Sequence, residues 1–357
     1  SCCLEAPLQH QGPHRWQRTP ILQKKQMITR AAILGTGSWG TALACLLAHR
    51  LDEVCLIGRN QKIADEINQH HSNQHYIPNL SLDTKIVAST DIKRAQDYPL
   101  VLFVVPTSAT EASASQLASV GLPENTILVS CAKGISANGE RMSQIIHRHL
   151  PNNPLAVLSG PNHAEEVSRN LATCAVIGAK EKELSEQLQD VFTTNFFRCY
   201  TSDDIAGIEL GGAIKNIFSI AAGIADGIGL GDNAIAALVT RGLAEMTRLG
   251  TALGGQMETF IGLSGVGDLM ATCYSPHSRN NRVGKALGKG GNLDDIIANL
   301  GMVAEGVPNT KSIYDAGHKT SVRIPLIDAV YQILYEKKSA VTALEELLTR
   351  DTRPETD

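Results

Sequence analysis

Gly35-Thr-Gly-Ser-Trp-Gly40 reads Gly-x-Gly-x-x-Gly, and its neighbours decide its meaning. Before it lies Ala31-Ala-Ile-Leu34, short and apolar like a buried strand. After it lies Thr41-Ala-Leu-Ala-Cys-Leu-Leu-Ala-His49, which reads as a helix. Strand, glycines and helix in that order are what a dinucleotide needs. Gly35 makes the tight turn, Gly37 lets the backbone approach a pyrophosphate, and Gly40 lets helix and strand pack closely. The helix N-terminus then offers free N–H groups and a positive dipole end to the phosphates.

Outward from this stretch, strand and helix signals alternate to about Ser202. The expected strands are Ala31–Leu34, Val54–Ile57, Lys85–Ala88, Leu100–Val105, Thr126–Ser130, Leu155–Leu158, Ala172–Ile177 and Phe196–Tyr200. Short apolar runs bounded by turn residues and separated by helices predict a parallel sheet. Near Asp203 the strand signals stop and helical ones take over, as in Asp204–Ile228, Ala234–Leu249 and Ile324–Glu336. The expected organisation is an α/β dinucleotide-binding domain over 27–203 and an all-helical domain over 204–357. Residues 1–26, rich in Gln, Pro, Arg and His, have neither the apolar core of a secretory signal nor an amphipathic pattern. They are read as a disordered leader or extension, with Met27 opening the fold.

The bulk numbers narrow the function. At 357 residues about two domains are expected. A net charge of -4 leaves no footprint for nucleic acid or an anionic membrane, and no apolar run reads as a transmembrane segment. The eight cysteines include no Cys-x-x-Cys pair and read as buried thiols in a reducing cytosol, so a cytoplasmic protein is expected. His70, His71 and His75, with Glu66, match no zinc spacing and read as polar loop or helix-end residues, so no metal is expected.

Four further stretches carry chemistry. The second strand ends in Gly58-Arg59-Asn60, with no carboxylate at its tip. An Arg there suits the 2′-phosphate of NADPH through charge-assisted bonds, while NADH use stays open. Strand Thr126–Ser130 runs into Cys131-Ala-Lys133-Gly134, where a cation needs an anionic or carbonyl partner. Strand Leu155–Leu158 runs into Ser159-Gly160-Pro161-Asn162, a tight turn whose Asn can bond a ligand hydroxyl. Lys215 lies in a helix apolar nearly all round, so it is expected to be buried, with a lowered pKa and a proton to trade near neutrality. Gly211 and Gly212 cost that helix stability unless something packs closely against them. Last, Asp268 follows glycines and could accept from a substrate or hold Lys215. Ser278 reads as an N-cap before Arg279, Asn280 and Asn281, a ready phosphate site. A reduced nicotinamide, a buried Lys and an Arg at a helix start suit reduction of a small phosphorylated ketone.

Gly35–Leu43, Ser130–Gly134, Ser159–Pro161, Glu209-Leu-Gly-Gly-Ala-Ile-Lys-Asn216, Gly265–Leu269 and Ser278–Asn280 together resemble the bacterial-type NAD(P)-dependent glycerol-3-phosphate dehydrogenases. The resemblance runs from about Met27 to Glu336. It implies a Rossmann domain joined to a helical domain like that of 6-phosphogluconate dehydrogenase. It implies interconversion of dihydroxyacetone phosphate and sn-glycerol 3-phosphate, feeding phospholipid synthesis. Lys215 would then be the proton donor and acceptor, and Lys133 would contact both cofactor and substrate. Gly160, Asn162, Asp268, Ser278, Arg279 and Asn280 would line the substrate. Ser38, Trp39, Arg59, Ala164 and Arg279 would meet the cofactor, with Val303 and Glu305 closing over it. Family members often carry Ser or Thr where Asn162 stands.

Two other readings stay open at this point. One is a related β-hydroxyacid dehydrogenase acting on a carboxylate, and the other a non-catalytic NADPH-sensing module. Oligomeric state is not legible, and a homodimer is the default expectation.

Overall fold

The computed structural model describes residues 28–301, 303–351 and 354. The expected leader lies outside the described residues. Eight strands form one sheet in the order β3-β2-β1-β4-β5-β6-β7-β8. They are β1 (Arg30–Leu34), β2 (Glu53–Ile57), β3 (Ile86–Ser89), β4 (Leu100–Phe103), β5 (Ile127–Ser130), β6 (Leu155–Ser159), β7 (Thr173–Ala179) and β8 (Phe197–Ser202). Every expected strand forms, and the order is that of a doubly wound dinucleotide-binding sheet extended at one edge.

The expectation of an all-parallel sheet is corrected at one pair: β6 and β7 run antiparallel, with Val157 opposite Gly178. The connection explains it. Between them lies only the four-residue helix α5 (Ala164–Val167). At about 1.5 Å per residue it covers ~6 Å. That is short against a strand that spans roughly 16 Å at 3.3 Å per residue, so this connection holds no helix of crossover length.

The remaining helices that cover the sheet are α1 (Ser38–Ala48), α2 (Gln61–His70), α3 (Thr110–Val120), α4 (Met142–His149) and α6 (Lys182–Phe192). Among the described residues no strand follows β8. The chain continues as α7 (Ile205–Ile228), α8 (Asp232–Ala252), α9 (Met257–Phe260), α10 (Asp268–Tyr274), α11 (Arg279–Gly288), α12 (Leu293–Leu300), α13 (Gly306–Gly317), α14 (Pro325–Tyr335) and α15 (Ala340–Leu348). Asp204 opens α7 by accepting from Gly207 N–H at 2.8 Å, and Gly229, with φ +88°, closes it.

Helix α7 is the axis of this half. Residues Gly207 through Ala225 are all buried. Its length and hydropathy would suffice for a bilayer span, but here it is sheathed by protein. Glu209 ties it to the sheet domain, accepting from Arg141 Nη1 at 2.9 Å and from the N–H and hydroxyl of Ser143 at 2.8 and 2.6 Å. Against α11 the two backbones nearly touch. A Cβ on Gly223 would lie 2.1 Å from Asn281 O, and one on Gly284 would lie 2.0 Å from Ile220 O. Gly227 and Gly288 face each other in the same way. Side chains cannot fit between these helices, so the start of α11, with Arg279 and Asn280, is fixed relative to Lys215 on α7.

This contact gives a prediction with a decided sign. On helix propensity alone Gly284→Ala would gain about 1 kcal/mol. The Cβ–carbonyl overlap forces α7 and α11 apart, so the expected net result is a loss of roughly 1–3 kcal/mol, read by urea unfolding. A variant as stable as the parent would refute the close crossing.

Candidate active site

The carboxyl ends of β1, β4, β5 and β6 converge beneath α7, α10 and α13. At β1 each glycine has its own reason. Gly35 has φ +118°, and a Cβ there would lie 2.5 Å from Val104 O. A Cβ on Gly40 would lie 2.0 Å from Gly35 O, so helix and strand need a glycine at that contact. Gly37 is different. Its φ is -71°, any residue could adopt it, and a Cβ would meet nothing within 4 Å. Nothing in the chain itself requires glycine there, and the space before it is open. Gly37 also caps α1 without a side-chain bond, and no acidic residue occupies the first turn. The positive dipole end of α1, with an open cradle before it, fits a pyrophosphate.

The other expected cofactor residues come from both halves of the chain. Ser38 is buried, and its hydroxyl donates to Tyr76 O at 3.1 Å. Trp39 Nε1 is buried with no acceptor among the described residues. Arg59 is exposed and leaves β2 right after Gly58, whose Cβ would lie 2.5 Å from Thr36 Cγ2 in the glycine loop. Ala164 is buried at the start of α5. From the helical half, Glu305 Oε1 accepts from Thr107 N–H at 3.1 Å, reaching the loop after β4. Arg279 is half-buried, and its Nη1 donates to the carbonyl of the exposed Val303 at 3.0 Å.

At the centre one carboxylate holds two ammonium groups. Asp268 Oδ2 accepts from Lys133 Nζ at 2.7 Å, and its Oδ1 lies 3.1 Å from Lys215 Nζ. Lys133 also donates to Gly160 O at 2.9 Å and to Asn162 Oδ1 at 2.8 Å, so its cation has both the anionic and the carbonyl partner expected of it. Lys215 donates to Thr272 Oγ1 at 2.5 Å, and that hydroxyl donates on to Asp268 O at 2.6 Å. One π-helical turn, Leu263–Gly267, precedes Asp268 and delivers it to this point. The glycines of α7 admit the neighbours. A Cβ on Gly211 would lie 2.7 Å from Ser264 O, and one on Gly212 would lie 3.0 Å from Ser159 Oγ and 3.4 Å from Lys133 Cγ.

The electrostatics follow from burial. Desolvation pulls the Lys215 ammonium down to about 8, and Lys133 nearby pushes the same way, while Asp268 opposes both. Burial alone would raise Asp268, yet the two lysines outweigh it and hold the carboxyl below its ordinary range. Burial also lowers the imidazole of His163, whose Nε2 donates to Ala271 O at 3.1 Å. The site therefore carries one negative and two positive charges before Arg279 is counted.

Several polar atoms here have no partner among the described residues. They include Asn162 Nδ2, Thr107 Oγ1, Ser130 Oγ and Ser159 Oγ, all buried at strand ends. Buried polar groups are normally satisfied, so orphans at a strand-end cleft point to a ligand. Two expected substrate residues also make bonds within the protein. Ser278 caps α11 through Asn281 N–H at 3.1 Å and shares a 2.9 Å bond with Ser219. Asn280 donates to Asn216 Oδ1 at 2.9 Å and accepts from Gly306 N–H at 2.9 Å. Gly160 has φ +139° and packs its α-carbon against β7. The side-chain amide of Asn216, the residue after Lys215, donates to Lys133 O at 3.1 Å and to Gly212 O at 3.2 Å.

Sequence reasoning missed Thr272 and Asn309. Thr272 stands four residues after Asp268 on α10, a spacing that puts both on one helix face and could have revealed it. Asn309 has no local signal.

The family model described as NAD-dependent glycerol-3-phosphate dehydrogenase N-terminus matches residues 30–185, and its C-terminus counterpart matches 204–345. Glycerol-3-phosphate dehydrogenase [NAD(P)+] of Pediococcus pentosaceus is 43% identical over 336 residues, covering 92% of this chain and 99% of that protein. The Halothermothrix orenii protein of the same name is 45% identical over 333 residues, covering 92% and 97%. Among solved structures, glycerol-3-phosphate dehydrogenase from Coxiella burnetii superposes with a TM-score of 0.87 at 37% identity, covering 90% of this chain and 99% of that one.

The open cradle at Gly37 separates binding from folding. Gly37→Ala is expected to leave stability within about 1 kcal/mol, because the methyl meets no protein atom. Its affinity for NADPH should fall about tenfold or more, ~1.4 kcal/mol, by fluorescence titration. Unchanged affinity would remove this turn from the cofactor site.

Proposed function

The chain belongs to the NAD-dependent glycerol-3-phosphate dehydrogenase family, and we propose that Lys215 is the proton-transferring residue of its reaction. The chain is an NAD(P)-dependent oxidoreductase that reduces dihydroxyacetone phosphate to sn-glycerol 3-phosphate. With the family model matching both halves, the carboxylate-specific dehydrogenase and the sensor module fall away.

The proposal rests on one observation above all: an ammonium near its titration point, buried beside a carboxylate at a strand-end cleft. Bound nicotinamide supplies or accepts the hydride at C2; the protein must manage the proton and the charge. During reduction negative charge builds on the C2 oxygen, and Lys215 gives that oxygen its proton. Asp268 and Thr272 aim the ammonium. Lys133, whose Nζ donates to three acceptors, offers a fixed positive charge to the same oxygen region. Asn162 Nδ2, orphaned while its Oδ1 serves Lys133, is the donor left for the substrate. Arg279 at the start of α11 holds the phosphate, with Gly160 shaping the turn beneath it. In this scheme Ser278 and Asn280 act by fixing α11 and α13.

Within the proposal the cofactor lies over Gly35, Gly37 and Gly40 with Ser38, Trp39 and Ala164 beside it, under Val303 and Glu305. Arg59, with no carboxylate at its strand tip, favours NADPH over NADH. The proposal extends to supply of glycerol 3-phosphate for phospholipid synthesis.

Lys215→Met should lower turnover about 10²–10⁴-fold, the range for loss of a general acid, while NADPH binding persists. In the parent enzyme, oxidation needs the neutral amine, so its rate should rise with pH through about 8. Reduction needs the ammonium and should fall through the same point. Retained turnover in the variant, or profiles flat across that range, would sink Lys215 as the acid and base.

A further inference from the structure

We propose that Asn309 is a positioning residue for Lys133, holding the base of its side chain while Asp268 holds the tip. This rests on the reading that Lys133 serves the substrate. The Lys133 carbonyl accepts two side-chain amide N–H groups, from Asn216 at 3.1 Å and from Asn309 at 2.8 Å. They come from α7 and α13, so the peptide is gripped from two helices. Asn309 is 1% exposed. The next residue must be glycine, because a Cβ on Gly134 would lie 2.3 Å from Thr107 Oγ1 and 2.6 Å from Asn309 Oδ1. The Lys133–Gly134 peptide therefore lies flush between the loop after β4 and the first turn of α13.

The beginning of α13 reaches further. Glu305 accepts from Thr107 N–H and Gly306 N–H donates to Asn280 Oδ1. Glu305, Gly306 and Asn309 thus join the β4 loop, the β5 loop and the start of α11. A lysine stem is flexible, with four carbons between its Cα and its charge. Three acceptors within 2.7–2.9 Å of Nζ are reached together only if the Cα is fixed. A carbonyl oxygen has two lone pairs, and both are used here. Removing the 2.8 Å donor frees the peptide to tilt and lets the ammonium drift from Asp268.

The test is a double-mutant cycle on the full enzyme with NADPH and dihydroxyacetone phosphate. Asn309→Ala should cut kcat/KM about 10–100-fold, the scale of an ångström-sized misplacement. Its pH inflection should move upward, because a loosened Lys133 leaves more of the Asp268 charge to Lys215. Asn309→Asp keeps the shape but loses the donor; it should lose at least as much and guards against a folding defect in the alanine variant. In a Lys133→Met background, Asn309→Ala should add less than about twofold, since the group it positions is gone. Equal losses in both backgrounds, an unmoved inflection, or an Asp variant as active as the parent would overturn the inference. If Lys133→Met alone keeps parental kcat/KM, the reading of Lys133 itself fails, and that result is distinct from an additive cycle.

Discussion

Asp268 is a carboxylate with 2% of its surface exposed, and it is shared between two ammonium groups from opposite halves of the molecule. Lys133 arrives from the end of β5 and Lys215 from the middle of α7. Buried ions are costly, and a buried pair is weak evidence for stability. Removing one partner, however, strands the other charge. A single anion serving two cations leaves a net positive site, which suits an incoming phosphate ester and a developing alkoxide. The same balance sets the proton chemistry. Desolvation is the largest influence on Lys215, and Asp268 keeps it from falling further than about 8.

The architecture exists to keep these groups in register. Helix α7 crosses α11 with glycine against backbone, so Arg279 cannot move relative to Lys215 without parting the helices. Glu209 pins α7 to the start of α4, and the beginning of α13 pins the loops after β4 and β5. Each tie joins the helical half to the sheet half close to the site.

Much of this was legible in the sequence because it rests on local signals. The glycine stretch announced its turn, the apolar runs announced all eight strands, and a lysine in an apolar helix announced a depressed pKa. Strand direction at β7 was not legible, since an apolar run reads the same either way and only the short α5 connection decides. Ser278 and Asn280 were placed on the substrate by resemblance; that their side chains also cap α11 and bridge to Asn216 and Gly306 was not legible. Asn309 was invisible, as its partner lies 176 residues away. Local patterns show which groups exist; long-range packing decides which of them remain free for a ligand.

The most direct measurement is the pH dependence of kcat in Asp268→Asn, followed by NADPH absorbance with dihydroxyacetone phosphate. The carboxylate raises the pKa of Lys215, so its loss should shift the inflection below about 8. Turnover should fall about 100-fold or more as both lysines lose their anchor. An inflection left where the parent has it, with turnover near parental, would contradict the central role of that shared carboxylate.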